Sequence, residues 1–331
     1  MKSFNIFIDE NNFEENILKI LKEIRSEWET KEIKFKIFSE GKTNKLIGTY
    51  CLSISEMILF RINGNKTESI IDRDAEIKNM IFLNKFGFAP KIYAKFSNGL
   101  CYEFTPGIVV TTEMIYESNI FKLIARKMAK MHKIELTEEQ KKNEPMIISK
   151  TLEYLETIPE RFSDDKKDFK SRQLLPSKQS LLTEFLYLQS VLKSCHSPIV
   201  FCHNDLNMVN IIYTADIEKI TFIDFEYAEP NYQAFDIANH FAKIAGCCDD
   251  SGIDYGKFPS KEFQKRWLKH YLREFHDRRE IKNYEIENLQ IIVSKFVLSS
   301  HFLWTCWCLI QAEYSTIEFD FIKYVWLVND R

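Results

Sequence analysis

Glycine is scarce: nine residues in a chain of 331, so each one is worth locating. Gly41-Lys42-Thr43 looks like the end of a Walker A motif, but that motif requires a glycine five positions earlier, where Lys36 stands. The P-loop is thereby excluded. The eight cysteines (51, 101, 195, 202, 247, 248, 306 and 308) form no C-x-x-C pair, which removes the usual zinc signature. There is no surplus of positive charge either. The formal net charge is −3 with 28% charged residues, so no basic surface points to nucleic acid. The first residues, MKSFNIFIDENN, lack the basic start and long apolar core of a signal peptide. The most apolar window, Phe296–Ile310, includes Ser299, Ser300 and His301 and reads as a buried helix too short to span a bilayer, hence no transmembrane segment. Free thiols without an export signal point to the cytoplasm.

What the sequence does hold is concentrated in residues 200–226, VFCHNDLNMVNIIYTADIEKITFIDFE. An apolar run, Ile199–Cys202, delivers His203-Asn204-Asp205, and Asn210 follows five residues past the aspartate. A second apolar run, Ile220–Ile223, ends in Asp224. Protein kinases build their phosphoryl-transfer site in this order. An aspartate takes the proton of the attacking hydroxyl, while an asparagine five positions on and a later aspartate hold Mg²⁺. The chemistry needs little covalent help beyond an aligned nucleophile and neutralised phosphate charge. Mg²⁺ asks for oxygen ligands and takes only one or two carboxylates, leaving room for ATP and water. Asn210 and Asp224 meet that demand, and Asp205 stays off the metal as the base. With DFE where protein kinases carry DFG, the chain reads as a kinase whose substrate is not a protein.

The flanking pattern fits a bilobal protein-kinase-like fold of the α+β class, with a small antiparallel-sheet N-lobe over 1–107 and a mostly helical C-lobe over 108–331. Residues 13–25 repeat apolar positions at helical spacing. Segments 33–38, 46–52 and 57–62 alternate like strands between turn-forming residues, 73–86 reads as a helix, and 91–104 as a hairpin turning at Ser97-Asn98-Gly99. Beyond Pro106-Gly107, helices are expected over 120–132, 148–156, 179–193, 232–244, 261–275, 285–313 and 317–327. The charged stretches 135–146 and 160–178 look like surface insertions. Gly41 fits a hairpin turn whose backbone can lie over ATP phosphates. In protein kinases a third-strand lysine binds the phosphates and pairs with a glutamate on the next helix. The matching positions here are Arg61 and Glu76, and arginine's planar fork suits phosphate or carboxylate.

These residues resemble the choline and ethanolamine kinases, from about residue 40 to 325, and the ethanolamine branch more closely. GKTNKLIGTY (41–50), RINGNKTESIIDRDAEI (61–77), SNGLCYEFTPG (97–107), NYQAFDIANHF (231–241) and YSTIEFDF (314–321) are similar to ethanolamine kinase segments, while HNDLNMVN (203–210), IDFEYA (223–228) and SSHFLWTCW (299–307) are shared by both branches. The resemblance implies ATP- and Mg²⁺-dependent phosphorylation of the hydroxyl of a small amino alcohol. Asp205 would be the base, Asn210 and Asp224 the metal ligands, and Arg61 and Glu76 the phosphate-positioning pair. Gly41, Lys42, Thr43 and Asn44 would cover the nucleotide.

Trp304 and Trp307, three apart on a helix, match tryptophans that line the ammonium pocket of choline kinases through cation–π contacts. Glu226, Tyr227 and Tyr232 are expected to add negative charge and aromatic wall, and Asp236 to anchor the catalytic loop or cap a helix. One position departs from the family. Two residues after NHF the family usually carries a glutamate, and here stands Lys243. Either Lys243 points to solvent and another acid such as Glu226 takes over, or acceptor affinity is weak. The implied activity is phosphorylation of ethanolamine for phospholipid synthesis, with choline kinase or a dual enzyme as the alternative. A catalytically dead pseudokinase and an aminoglycoside phosphotransferase are the more distant readings. Family members are often dimers, so a homodimer stays open.

Overall fold

The computed structural model of the chain describes residues 1–38, 44–54, 56–64, 73–117, 119–246, 254–278, 280–315 and 319–329. Its backbone divides into two compact units, Met1–Gly107 with Ile223–Glu226, and Ile108–Phe222 with Tyr227–Arg331.

The smaller unit contains β1 (Lys2–Ser3), α1 (Glu14–Ile24), β2 (Ile33–Phe38), β3 (Asn44–Cys51), β4 (Met57–Asn63), α2 (Arg73–Asn84), β5 (Ile92–Phe96) and β6 (Gly99–Glu103). Acidic Glu14 and Glu15 open α1 and Lys22 closes it, matching the helix dipole. Its Ile17, Ile20 and Leu21 share one face and enter a core with Ile47, Ile58, Phe60, Ile62, Ala94 and Phe96 from the sheet. The sheet runs β1-β5-β6-β4-β3-β2. Its pairings are antiparallel, as expected, except that of the two-residue β1 with β5, which is parallel. Two exposed residues are too short a run to show a strand period. Because β4 lies inside the sheet, Arg61 sits opposite Leu46 of β3 and Leu100 of β6 rather than on an edge.

The larger unit contains β7 (Ile108–Val109), α3 (Ile120–His132), α4 (Met146–Thr157), α5 (Asp165–Leu174), α6 (Lys178–Ser194), β8 (Ile199–Cys202), β9 (Ile211–Thr214), β10 (Lys219–Phe222), β11 (Glu229–Tyr232), α7 (Gln233–Ile244), α8 (Lys261–Phe275), α9 (Asn283–Tyr314) and α10 (Phe321–Asn329). Two small antiparallel sheets, β10-β9-β7 and β11-β8, carry the loops that follow β8 and precede α7. α7 is buried nearly throughout and packs along α9, which also meets α4, α8 and α10. At 32 residues, α9 is long and apolar enough to cross a membrane, contrary to the expectation from its most apolar stretch alone. More than half of its apolar window is nevertheless buried in the protein, as in a core helix.

Helix α5 occupies a stretch expected to be a surface insertion, for which no helix is expected. The Asp164 side chain caps it by accepting from the Lys167 amide at 2.8 Å, and Lys170 pairs with Asp320. It buries no residue, which is why no apolar period marks it in the sequence.

Gly99 opens β6 where the chain turns back from β5. A Cβ there would lie 2.0 Å from the Arg61 carbonyl oxygen and 2.6 Å from the Phe96 ring. Gly99→Ala therefore forces the β4–β6 ladder apart and is expected to cost about 1–3 kcal/mol or more. Chemical denaturation should show the lowered midpoint.

Candidate active site

In the smaller unit, β4 and α2 bring Arg61 and Glu76 into a two-pronged ion pair, Nη1–Oε1 at 2.5 Å and Nη2–Oε2 at 2.7 Å. The side chains are only 6% and 0% exposed. A buried pair of this kind is strongly held in place because removing either partner strands the other's charge. Burial opposes both charges, but each partner overrides it, so Arg61 is raised and Glu76 lowered from their ordinary values. Arg73 extends the cluster. It donates to Glu76 at 3.3 Å and to the Asn44 side chain at 3.3 Å, and lies 3.5 Å from Glu226. Burial pushes the Glu226 carboxyl well above the carboxylate range, helped by Asp224 and Glu76 and only partly offset by Arg73 and Arg61. Glu226 is thus gathered with Arg73, Asp224 and Glu76. Asp224 itself adopts a left-handed backbone, φ 64°, a strained conformation of the sort found at functional sites. Gly41, Lys42 and Thr43 lie outside the described residues, while Asn44 begins β3.

In the larger unit, β8 ends at Cys202 and the chain turns sharply through Asn204, φ 66°. The buried carboxylate of Asp236 holds this turn. Its Oδ2 accepts from the His203 amide at 2.9 Å, its Oδ1 from the Asn204 amide at 2.8 Å, and His132 Nε2 lies 2.9 Å from Oδ2. Burial alone would raise Asp236, but the hydrogen bond and charge of His132, with His203, leave it below the usual range. Asn204 is locked as well: its amide donates to the carbonyls of Tyr227 and Glu229, and its Oδ1 accepts from Asn231.

On this base stands Asp205. Its Oδ2 accepts from Asn207 at 3.1 Å and, more weakly, from Asn210 at 3.4 Å, while Asn210 also donates to the Asp205 carbonyl at 2.9 Å. Oδ1 is buried and accepts no hydrogen bond among the described residues. Facing it at 3.4 Å is the Lys243 ammonium, with side chains 10% and 14% exposed for lysine and aspartate. The same ammonium lies 3.7 Å from the centre of the Trp304 ring. A desolvated cation–π contact of this geometry is worth about 2 kcal/mol. Of the two alternatives for Lys243, the one in which it points to solvent is therefore excluded: carboxylate and indole hold it inward.

Asn239 joins the two halves of this constellation. Its amide donates to the Asn204 carbonyl at 3.0 Å, while its Oδ1 accepts from Ser300 and from Trp304 Nε1, each at 2.8 Å. Tyr227 meets Trp304 edge-on at 5.2 Å, and Trp307 meets it at 5.9 Å and 73°. The two tryptophans therefore form a corner, not parallel walls. Tyr232 ends β11 and turns into the core, against Phe296 at 5.3 Å, about two turns before Trp304 on α9. Asn204, Asn231, Asn239 and His132 carried no signal in sequence spacing, because each acts on a segment far along the chain.

A carboxylate steadied by two amides thus stands in the larger unit, and a paired arginine–glutamate anchor in the smaller. Comparison with known proteins gives the family. A family model described as Choline/ethanolamine kinase matches residues 35–327. The chain is 40% identical to human ethanolamine kinase 1, over 96% of this chain and 70% of that protein. It is 35% identical to the ethanolamine kinase of Drosophila melanogaster, over 97% of this chain and 77% of that one. Among solved structures, the ethanolamine kinase of Plasmodium vivax superposes with a TM-score of 0.84 at 31% identity, covering 98% of this chain and 89% of that chain. The chain belongs to the choline/ethanolamine kinase family.

Asp236→Asn replaces an acceptor oxygen by an amide facing an N–H or the imidazole. It is expected to destabilise the larger unit by about 3–5 kcal/mol. Because the folded pKa of Asp236 is depressed, its contribution is present above the unfolded value of about 3.9 and is lost as pH falls through the folded value. Denaturation measured between pH 7 and 3 should therefore show an acid-side loss that the variant lacks in part.

Proposed function

We propose that the protein transfers the γ-phosphate of ATP to the hydroxyl of ethanolamine, forming phosphoethanolamine for phospholipid synthesis. The relatives named ethanolamine kinase, matched over nearly the whole chain, support the acceptor. The observation that carries the chemistry is the division of labour within Asp205: Oδ2 is tied by Asn207 and Asn210, while Oδ1 is buried, accepts no hydrogen bond among the described residues and faces the Lys243 ammonium at 3.4 Å. A carboxylate so arranged has one oxygen placed to accept a hydroxyl proton as the hydroxyl oxygen attacks phosphorus. The Trp304 face and the Tyr227 edge take the ammonium end of the acceptor.

Arg61, fixed by Glu76, serves as the phosphate-positioning cation. Asn210 and Asp224 are the residues that would hold Mg²⁺. Their donor set, an amide oxygen and one carboxylate, suits a hard cation that also takes phosphate oxygens. The bonds of Asn210 Nδ2 to Asp205 fix the orientation of the amide. When bound, the ion supplies neutralisation of charge on the β- and γ-phosphates. The described cysteines are free thiols, which supports a cytoplasmic location.

Choline is the second reading, favoured by the indole face that holds a cation at 3.7 Å. A quaternary ammonium has no N–H and relies on such faces, whereas a primary ammonium brings three donors that want oxygens.

Turnover with ATP and Mg²⁺ at equal concentrations of the two alcohols decides between them. A kcat/KM at least tenfold higher for ethanolamine, about 1.4 kcal/mol, is expected; a preference for choline refutes the acceptor assignment. Asp205→Asn should lower kcat by about 10²–10⁴-fold with ATP binding retained, and chelation of divalent cations should abolish turnover. Trp304→Ala should raise the KM of the amino alcohol far more than that of ATP; the reverse would return the tryptophan to the core.

A further inference from the structure

The Lys243 ammonium lies 3.4 Å from Asp205 Oδ1 and 3.7 Å from the centre of the Trp304 ring. Those two groups are the ones assigned above to the acceptor, one to its hydroxyl and one to its ammonium. We propose that Lys243 is a resident cation of the acceptor site, a tethered stand-in for the substrate's ammonium that the amino alcohol must displace, and that it thereby sets acceptor affinity. This inference rests on the acceptor reading of the Asp205–Trp304 site.

Three observations lead to it. First, the position is built on both sides: Trp304 is fixed by its Nε1–H bond to Asn239, and Asp205 by Asn207 and Asn210. Neither partner is a mobile surface group that met the lysine by chance. Second, the lysine side chain is only 10% exposed, although it stands on α7 beside a small cavity bordered by Ser300, His301, Trp304 and Tyr324. Burial, with the lysine charge added to it, holds His301 below its usual range, so this wall presents a neutral imidazole beside the ammonium. Third, a primary ammonium on a flexible four-carbon stem has the same charge and donor set as the head of ethanolamine, and can swing aside without moving the backbone.

The energetic consequence is competition. A tethered cation acts at an effective concentration on the order of millimolar or higher. The acceptor therefore binds only the fraction of molecules in which the lysine has left, and its apparent dissociation constant rises in inverse proportion to that fraction. A glutamate at this position would attract the acceptor's ammonium; the lysine competes with it instead.

The test compares wild type with Lys243→Met, which keeps an unbranched apolar stem and removes the charge, and with Lys243→Gln as a second neutral variant should methionine disturb folding. Thermal unfolding identifies a variant that has not folded. Calorimetric titration with ethanolamine in the absence of ATP is expected to give at least tenfold tighter binding for the neutral variants. In turnover, the KM for the amino alcohol should fall by a similar factor, with the KM for ATP changed less than twofold. n-Butylammonium, which copies the lysine head but has no hydroxyl, should bind the neutral variants at least tenfold more tightly than wild type. Unchanged or weaker binding of both cations by folded neutral variants overturns the proposal, because the lysine then supports the site rather than filling it. If no form binds ethanolamine, the acceptor assignment fails, and n-butylammonium decides this proposal alone: tighter binding to the variants upholds it and equal binding refutes it.

Discussion

The larger unit depends on one buried carboxylate. Asp236 accepts from two successive backbone amides, those of His203 and Asn204, and from His132. Those amides lie where β8 stops, in a turn that has left the sheet ladder and must find other acceptors for its N–H groups. A carboxylate supplies them with charge-assisted bonds, roughly twice as strong as neutral ones. The left-handed backbone of Asn204 is tolerable only because its surroundings over-determine it. Asp205 inherits its position from this arrangement. A turn that leaves a sheet is irregular by necessity, and here the irregularity is fixed from α7, a helix that is itself buried nearly along its length.

A second level of order is set by asparagines. Asn204, Asn231 and Asn239 each donate and accept, so a polar network passes from the turn after β8 to β11, α7 and the Trp304 indole. An amide suits this work because it carries no charge to desolvate and offers both donor and acceptor. The network couples the place where a proton would be taken to the aromatic face where an ammonium would rest. Both are therefore positioned by the same buried framework and not by separate loops.

The smaller unit uses charge where the larger uses amides. Arg61, Glu76 and Arg73 form a nearly dry cluster, and burial, helped by Asp224 and Glu76, pushes the Glu226 carboxyl upward. Burying so much charge costs desolvation energy, and the geometry repays it only through the fork-to-carboxylate bonds between Arg61 and Glu76. A cluster of this kind is weak evidence of stability and better evidence of a demand for a fixed cation.

Much of the local structure was legible in the sequence because it is set by neighbours. The apolar periods of 120–132 and 261–275 coincide with α3 and α8, and the turn at Ser97-Asn98 separates β5 from β6. The order Asp205, Asn210, Asp224 is also a local property: strand, loop and strand fix which residues leave the sheet at which point. α5 escaped because it buries nothing, and β1 because it is two residues long. The sequence by itself determined the family and the sequence order of the reactive groups, since both reside in spacing along the chain. Only the tertiary structure decided where those groups point. Lys243 turns inward to Asp205 and Trp304, Tyr232 enters the core against Phe296, and Asn239 ties the turn after β8 to α9. Each outcome is a contest between solvent and partners tens of residues away, and spacing along a chain carries no record of which side wins.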